Sequence, residues 1–160
     1  MVFPGLLSAQ APEGQLQSQA VKLFDIPVVL EKANFPDSVR ISLQEDDQVF
    51  LLRAASDGKI VGYAWASSAL GRYEKFDYFF LTDKNASILL VKVWQYRSTH
   101  GGAIAGKRWL KQFIGYTGGA IEYGKDIQAI SGATLSGNSI VHDIERAQDI
   151  LAVVREMHME

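Results

Sequence analysis

A short run of small and hydroxyl-bearing residues, from Ser131 to Thr134, precedes the longest amphipathic stretch of the sequence. Gly132 and Ala133 carry almost no side chain, so a ligand can approach their backbone closely, while Ser131, Thr134 and Ser136 add hydroxyl groups. The run lies just ahead of a predicted helix N-terminus, where unpaired N–H groups and the helix macrodipole favour a phosphate. The local pattern therefore predicts an anion-binding site, with an ordinary capped turn as the alternative interpretation.

The stretch that follows has the spacing of an amphipathic helix. Its apolar residues recur at intervals of three and four: Ile140, Ile144, Ala147, Leu151 and Val154. Ser136 or Asn138 is predicted to cap the N-terminus by accepting a hydrogen bond from a backbone N–H group. The candidate site thus leads directly into a long C-terminal helix.

The composition restricts the class of protein. A chain of 160 residues is long enough for one domain with a hydrophobic core and too short for two comfortable ones. With a net charge of -2 and no basic stripe, the sequence does not indicate a nucleic-acid partner. The absence of cysteine excludes disulfides, thiolate metal sites and cysteine nucleophiles, and the three histidines lack metal-ligand spacing.

The first 14 residues differ from the rest. Phe3 to Ala9 is apolar and small, and "LSAQA" resembles the end of a signal peptide, but the segment has no basic start and is too short to span a bilayer. We interpret residues 1–14 as a flexible N-terminus or the remnant of an export signal. Residues 15–160 are predicted to form a single domain.

The periodicity of the remaining sequence predicts an α+β domain. A helix is expected over 15–24, and Pro27 ends it. Alternating residues and short turns, among them the Asp57-Gly58 turn, then predict an antiparallel β-meander. The predicted strands cover 39–43, 49–55, 59–66, 75–81 and 87–95. A second helix is expected over 103–116, ending near Gly115, and the two C-terminal helices are expected to pack on one face of the sheet.

Three segments carry a resemblance to a known family. "AISGATLS" (129–136), followed by an amphipathic helix, resembles the signature of the FMN-binding domain family. That family includes the C subunit of sodium-pumping NADH:quinone reductases and the G subunit of the Rnf electron-transport complex. "DGKIVGYAW" (57–65) and "WQYRSTHGGAIAGKRWLKQFIGY" (94–116) resemble two further blocks of the family.

The resemblance implies an electron-carrier flavoprotein with FMN as its cofactor. It assigns the phosphoester bond to FMN to Thr134, and a separate flavin transferase that uses FAD makes that bond. It implies redox partner proteins, possible membership of a membrane complex, and a location on the exported face of the membrane. It implies no catalytic residue and no metal. The residues expected to contact the cofactor are His100, Gly101, Gly102, Ser131, Gly132, Ala133, Thr134, Leu135 and Ser136.

One position departs from the family motif, and it keeps alternatives open. The family has an Asp where this chain has Gln128, and the nearest acid, Asp126, is two residues earlier. Two residues of extended chain move a side chain by about 7 Å, so Asp126 does not replace the missing carboxylate. The alternatives are a non-covalent FMN-binding module and a non-redox binding domain with a vacant flavin site.

Overall fold

A five-stranded antiparallel sheet forms the centre of the protein. The computed structural model describes residues 12–98 and 100–159. The strands pair in chain order, and each runs antiparallel to its neighbours. They are β1 (Val28–Lys32), β2 (Gln48–Ala54), β3 (Ile60–Leu70), β4 (Lys75–Asp83) and β5 (Ile88–Gln95). The predicted α+β class with an antiparallel meander is confirmed.

Helical segments lie before, between and after the strands. The α-helices of the described ranges are α1 (Pro12–Phe24), α2 (Asp37–Arg40), α3 (Lys107–Leu110) and α4 (Thr134–Met157). Two 3₁₀ turns, Gly102–Ala105 and Lys111–Phe113, flank α3. Residues 12–14 belong to α1, whereas residues 1–11, which make up most of the predicted flexible or export segment, lie outside the described residues.

Both faces of the sheet are covered. On one face, α1 packs Leu16 and Ala20 against strand residues such as Phe79. On the other face, α4 and the segment 102–113 pack against residues such as Trp65. The two C-terminal segments therefore share a face as expected, and α1 takes the opposite one. Double coverage explains why β3 and β4 are buried almost continuously instead of alternately.

The strand predicted over 39–43 is wrong. Residues 37–40 form α2, which follows the extended Pro36, and the Ser42 N–H then bonds back to Val39. Only Val39 of the alternating apolar residues is buried, whereas Ile41 is 86% exposed. The first strand is instead β1, directly after Pro27. The sequence pattern does not indicate it, because the strand has only five residues and only one of them is buried.

The continuous helix predicted over 103–116 is also wrong. Gly106 adopts an extended conformation that separates a 3₁₀ turn from α3, and a second 3₁₀ turn follows α3 directly. The predicted apolar face survives in part, because Trp109, Leu110 and Phe113 are buried while Ile114 is 48% exposed. Tight turns bring these large side chains onto the sheet without a regular helix.

The final helix begins earlier than the capping pattern predicts. Thr134 is its first residue, the N-cap position is Ala133, and no side chain caps the first turn. The predicted caps act elsewhere: Asn138 donates its amide to the Thr134 carbonyl at 2.9 Å, and Ser136 is buried. Thr134 thus lies in the first turn of α4 and not in a loop ahead of it.

A buried polar cluster fastens α4 to the sheet. Arg146 donates two hydrogen bonds to Asp47, in the loop before β2, at 2.7 and 2.9 Å. It also donates to Asp143, one turn earlier in α4, at 2.8 Å. Asp143 accepts a hydrogen bond from the Tyr78 hydroxyl of β4, and Trp65 of β3 donates to that hydroxyl at 2.7 Å. The cluster links the helix, two central strands and a loop.

The pKa values of the two carboxyl groups in the cluster are shifted in opposite directions. Burial raises the pKa of Asp47, but hydrogen bonds from Arg146, Ser67 and the Gln44 N–H outweigh it, so its pKa lies below the ordinary value of an aspartate. For Asp143, burial outweighs the hydrogen bonds that it accepts, and its pKa is raised. The Asp47 side chain is completely buried, so its charge depends on Arg146 for compensation.

Replacing Arg146 with Met should lower the free energy of unfolding by about 3–5 kcal/mol, because it leaves buried carboxylates without their cation. Urea denaturation followed by circular dichroism measures this loss. Arg53→Met is the matched control, since Arg53 pairs with Glu31 at 2.6 Å in a partly exposed position and should cost about 1 kcal/mol or less. Equal losses in the two variants would contradict the special role of the buried cluster.

Candidate functional site

One cavity brings the two predicted binding segments together. It has a volume of about 280 Å³ and lies where the loop after β5 meets the first turn of α4. Its lining residues are Arg72, His100, Gly101, Gly132, Ala133, Thr134, Leu135 and Ser136. All predicted cofactor contacts therefore line this cavity except Ser131 and Gly102.

The Tyr96 hydroxyl joins the two segments. It donates a hydrogen bond to the His100 carbonyl, so its oxygen accepts the bond from Ser136 Oγ, at 2.8 Å. A Cβ atom on Gly101 would lie 2.7 Å from Tyr96 Oη and 2.8 Å from Ser136 Oγ, and Gly101 has a φ of +77°. Close approach and the left-handed backbone both require glycine at this position. The Ser136 hydroxyl, predicted as a ligand contact, is used to hold the loop.

A second tyrosine fixes the segment that leads into α4. Tyr123 Oη accepts a hydrogen bond from the Ile130 N–H at 2.8 Å, and its ring lies against Gly137. A Cβ atom on Gly137 would be 2.2 Å from the ring, so only glycine allows this approach. Trp109 Nε1 donates to the Gln128 carbonyl at 2.7 Å. These contacts anchor both ends of the loop that carries Ser131 and its neighbours.

The first turn of α4 presents unpaired donors. The first hydrogen bond of the helix runs from the Gly137 N–H to the Ala133 carbonyl at 2.8 Å, so the N–H groups of Thr134, Leu135 and Ser136 have no acceptor within the helix. No side chain caps them. Free N–H groups and the positive end of the macrodipole therefore converge at this end of the cavity.

Thr134 and Gly132 are two exposed residues of the cavity lining that a ligand can reach. The Thr134 side chain is exposed, while Ala133 beside it is buried and anchors the turn. Gly132 has a φ of +81°, and nothing lies within 4 Å of the place where its Cβ would be. Its backbone conformation is the reason for glycine here, and the open space leaves room for a ligand.

Arg72 is the cavity residue that sequence reasoning missed. It lies in the turn between β3 and β4, far from both motifs in sequence. Its guanidinium lies 5.3 Å from the centre of the Tyr73 ring, and that ring contacts His100 edge-on at 5.5 Å. The sequence "GRYE" marks a turn, and only the tertiary structure, in which the Leu70 N–H donates to Ser139 Oγ of α4 at 2.8 Å, reveals that this end of the hairpin reaches α4.

The residues near the departure from the motif lie outside the cavity. The Gln128 side chain is exposed, and its backbone is held by Trp109 and by Gln112, whose amide oxygen accepts the Gln128 N–H at 2.8 Å. Asp126 Oδ2 accepts the Glu122 N–H at 2.9 Å and so closes a turn. Neither side chain lines the cavity.

The lining residues suit an anion and offer no base for acid–base chemistry beyond His100. They include one permanent cation, Arg72, and no carboxylate. Within the described residues, no group of three or more histidine or acidic side chains is arranged to hold a metal ion. The first turn of α4 and Arg72 therefore form a surface that suits an anion such as a phosphate.

Replacing Tyr96 with Phe should destabilise the fold by about 1–3 kcal/mol, because the His100 carbonyl and the Ser136 hydroxyl lose a shared partner. Hydrogen exchange measured by mass spectrometry should become faster in residues 100–103 and in the first turn of α4. Tyr73→Phe is the control, since the Tyr73 ring is exposed and its hydroxyl bonds to none of the described residues. Unchanged exchange in Tyr96→Phe would contradict the bridging role.

Comparison of the sequence with models of known protein families and with curated proteins found no match. Across residues 12–98 and 100–159, no helix combines the length and apolar character needed to cross a bilayer.

Proposed function

We propose that the protein is an FMN-binding electron-transfer domain, with the flavin attached through a phosphoester to Thr134 by a separate flavin transferase. The observation that supports this best is the meeting of two of the three family-like segments, 94–116 and 129–136, in one cavity where the Thr134 side chain is exposed. These segments are separate in the sequence, so only the fold brings them together.

The cavity fits the phosphate end of FMN. The unpaired N–H groups at residues 134–136 are donors to phosphate oxygens, and Arg72 supplies a positive charge. Gly132 leaves the backbone open to close approach. A phosphodiester retains one negative charge, which this arrangement stabilises, and no carboxylate of the lining opposes it.

The size of the cavity suits the phosphate end of FMN better than a whole drug-sized ligand. Its volume of about 280 Å³ is at the lower limit of ligand pockets, which enclose roughly 300–1,000 Å³. Bound FMN supplies one- and two-electron redox chemistry. Leu135 in the lining and Tyr73 beside it are 59% and 67% exposed, so they provide apolar surface for a ring that remains accessible to redox partner proteins.

Attachment requires a second protein. Transfer from FAD forms a bond between Thr134 Oγ and the FMN phosphorus and breaks the pyrophosphate bond, with AMP as leaving group. The threonine proton must pass to a base, because a neutral hydroxyl is a weak nucleophile. No carboxylate lines the cavity, and we propose that the transferase, which makes the bond, also supplies this base. An exported location and docking on a membrane complex belong to the same proposal.

Non-covalent FMN binding is the second candidate, and Gln128 favours it. The family places an acid at this position, whereas the Gln128 side chain is exposed and Asp126 is committed to a turn. If the transferase recognises that carboxylate, the cavity would hold the phosphate of FMN without the covalent bond.

Coexpression with a flavin transferase should add the mass of one FMN minus water to the chain, and Thr134→Val should abolish this increment. Intact-mass spectrometry after denaturation measures it. Ser131→Ala is the matched control, because Ser131 is a neighbouring hydroxyl outside the cavity lining, and it should retain the flavin. An increment that persists in Thr134→Val would contradict the attachment site, and an increment missing from the unmodified sequence would favour non-covalent binding.

Arg72→Gln should weaken non-covalent binding of FMN about tenfold, because it removes the only permanent cation of the cavity lining. Fluorescence quenching of FMN titrated with apoprotein measures the affinity. Arg108→Gln removes an exposed arginine that lines no part of the cavity and should leave the affinity unchanged. Equal effects of the two variants would indicate general charge attraction instead of a site.

A further inference from the structure

A second cavity lies at the other end of α4. It has a volume of about 780 Å³ and is formed by the β2–β3 turn, the β4–β5 turn and the last turn of α4. The helix has 24 residues and is therefore about 36 Å long, so this cavity is remote from Thr134. It is independent of the proposed flavin site.

The cavity is lined by an excess of positive charge. Lys59, Lys84 and Arg155 line it, and none of them forms an ion pair with a described residue. Arg53 also lines it, but Glu31 neutralises this arginine at 2.6 Å. Among the described residues that line the cavity, Asp57 is the one carboxylate.

Asp57 and the C-terminus of α4 oppose the excess of positive charge in this cavity, whereas Arg155 has no acidic partner among the described residues that would reduce it. Asp57 Oδ1 accepts the backbone N–H of Lys59 at 3.0 Å, so part of its hydrogen-bonding capacity is used within the turn. Arg155 approaches only a neutral group, the Asn85 amide oxygen, at 3.5 Å. The carbonyls at the C-terminus of α4 add a partial negative charge. The three cations without an ion-pair partner still outnumber the single carboxylate, so the described lining keeps a net positive charge.

Tyr63 provides an independent indication of a ligand. It lines the cavity and is only 3% exposed, yet its hydroxyl forms no hydrogen bond with a described residue. The hydroxyl is not sealed in the core, since Gln148 Oε1 is the only enclosed side-chain polar atom without a partner in the described ranges. A nearly buried phenol with an unused donor is complementary to an acceptor that enters the cavity.

The pKa of Tyr63 supports the proximity of the cations. Burial raises this pKa, and the charges of Arg155 and Arg53 act against the rise. The unused hydroxyl donor and both guanidinium groups therefore belong to the same local environment.

We propose that this cavity binds a phosphate-bearing anion, a phosphate ester or a pyrophosphate, with Lys59, Lys84 and Arg155 balancing its charge and the Tyr63 hydroxyl donating to a phosphate oxygen. The volume of about 780 Å³ is within the range of roughly 300–1,000 Å³ that is typical of small-molecule pockets. A soluble phosphorylated metabolite and a phospholipid headgroup share this chemistry.

Calorimetric titration with inorganic pyrophosphate tests the proposal. Lys59→Gln combined with Lys84→Gln should weaken binding at least about tenfold, and Tyr63→Phe about tenfold, because a hydrogen bond to a charged group is lost while the packing of the ring remains. The control combines Lys111→Gln and Lys125→Gln, two exposed lysines outside this cavity, and should bind like the unmodified protein. Arg72→Gln removes the cation of the anion site at Thr134, so the pyrophosphate binding that this variant retains belongs to the cavity lined by Tyr63, and the two sites are separated.

Vesicles identify the source of the phosphate. Binding to phosphatidylglycerol vesicles that pyrophosphate displaces and Tyr63→Phe weakens would identify a lipid headgroup, whereas pyrophosphate binding without vesicle binding would identify a soluble ligand. The proposal is overturned if pyrophosphate does not bind saturably, or if the control lysine pair weakens binding as much as the cavity pair. Vesicle binding that is insensitive to both pyrophosphate and Tyr63→Phe would also overturn it, as simple surface charge attraction.

Discussion

The position of α4 depends on the ion pair between Arg146 and the buried Asp47. Twelve residues, or about 18 Å of helix, separate Arg146 from Thr134, so this contact fixes the axis along which the candidate flavin site lies. The same arginine lies 5.2 Å from the centre of the Trp65 ring, in the middle of the sheet. A buried ion pair adds little net stability compared with an apolar contact, but it restricts how the two elements can be docked. Asp143 and Tyr78 extend that restriction to β4.

The small residues of the motif-like segments have two different roles. Gly101 and Gly137 are required by packing, because the tyrosine side chains that hold the loops would collide with a Cβ atom at either position. Gly132 faces open space and adopts a left-handed backbone. Residues that resemble a family motif therefore also meet packing requirements of this fold, and of these three glycines only Gly132 leaves its backbone open to a ligand.

The two ends of α4 differ in their electrostatics. The N-terminal end combines free N–H groups with Arg72, so the macrodipole and the side chain attract an anion together. At the C-terminal end the macrodipole opposes an anion, and Lys59, Lys84 and Arg155 must overcome it. A chain with a net charge of -2 thus carries two positively charged concave surfaces at opposite ends of one helix.

The sequence by itself determined the elements with strong local signals. The final helix, the strands from β2 to β5 and the Ser-Gly-Ala-Thr corner all follow from periodicity, turn residues and small side chains within a few neighbours. Three elements did not follow, because tertiary contacts or the backbone conformation override local propensity. The strand β1 depends on pairing with β2, and the extended Gly106 breaks the helix over 102–113. The first turn of α4 is held by the hydrogen bond between Tyr96 and Ser136. Arg72, Tyr63 and the Arg146 cluster were decided by tertiary structure alone. Their partners are remote in sequence, and no local pattern records which distant turn or strand a side chain will meet.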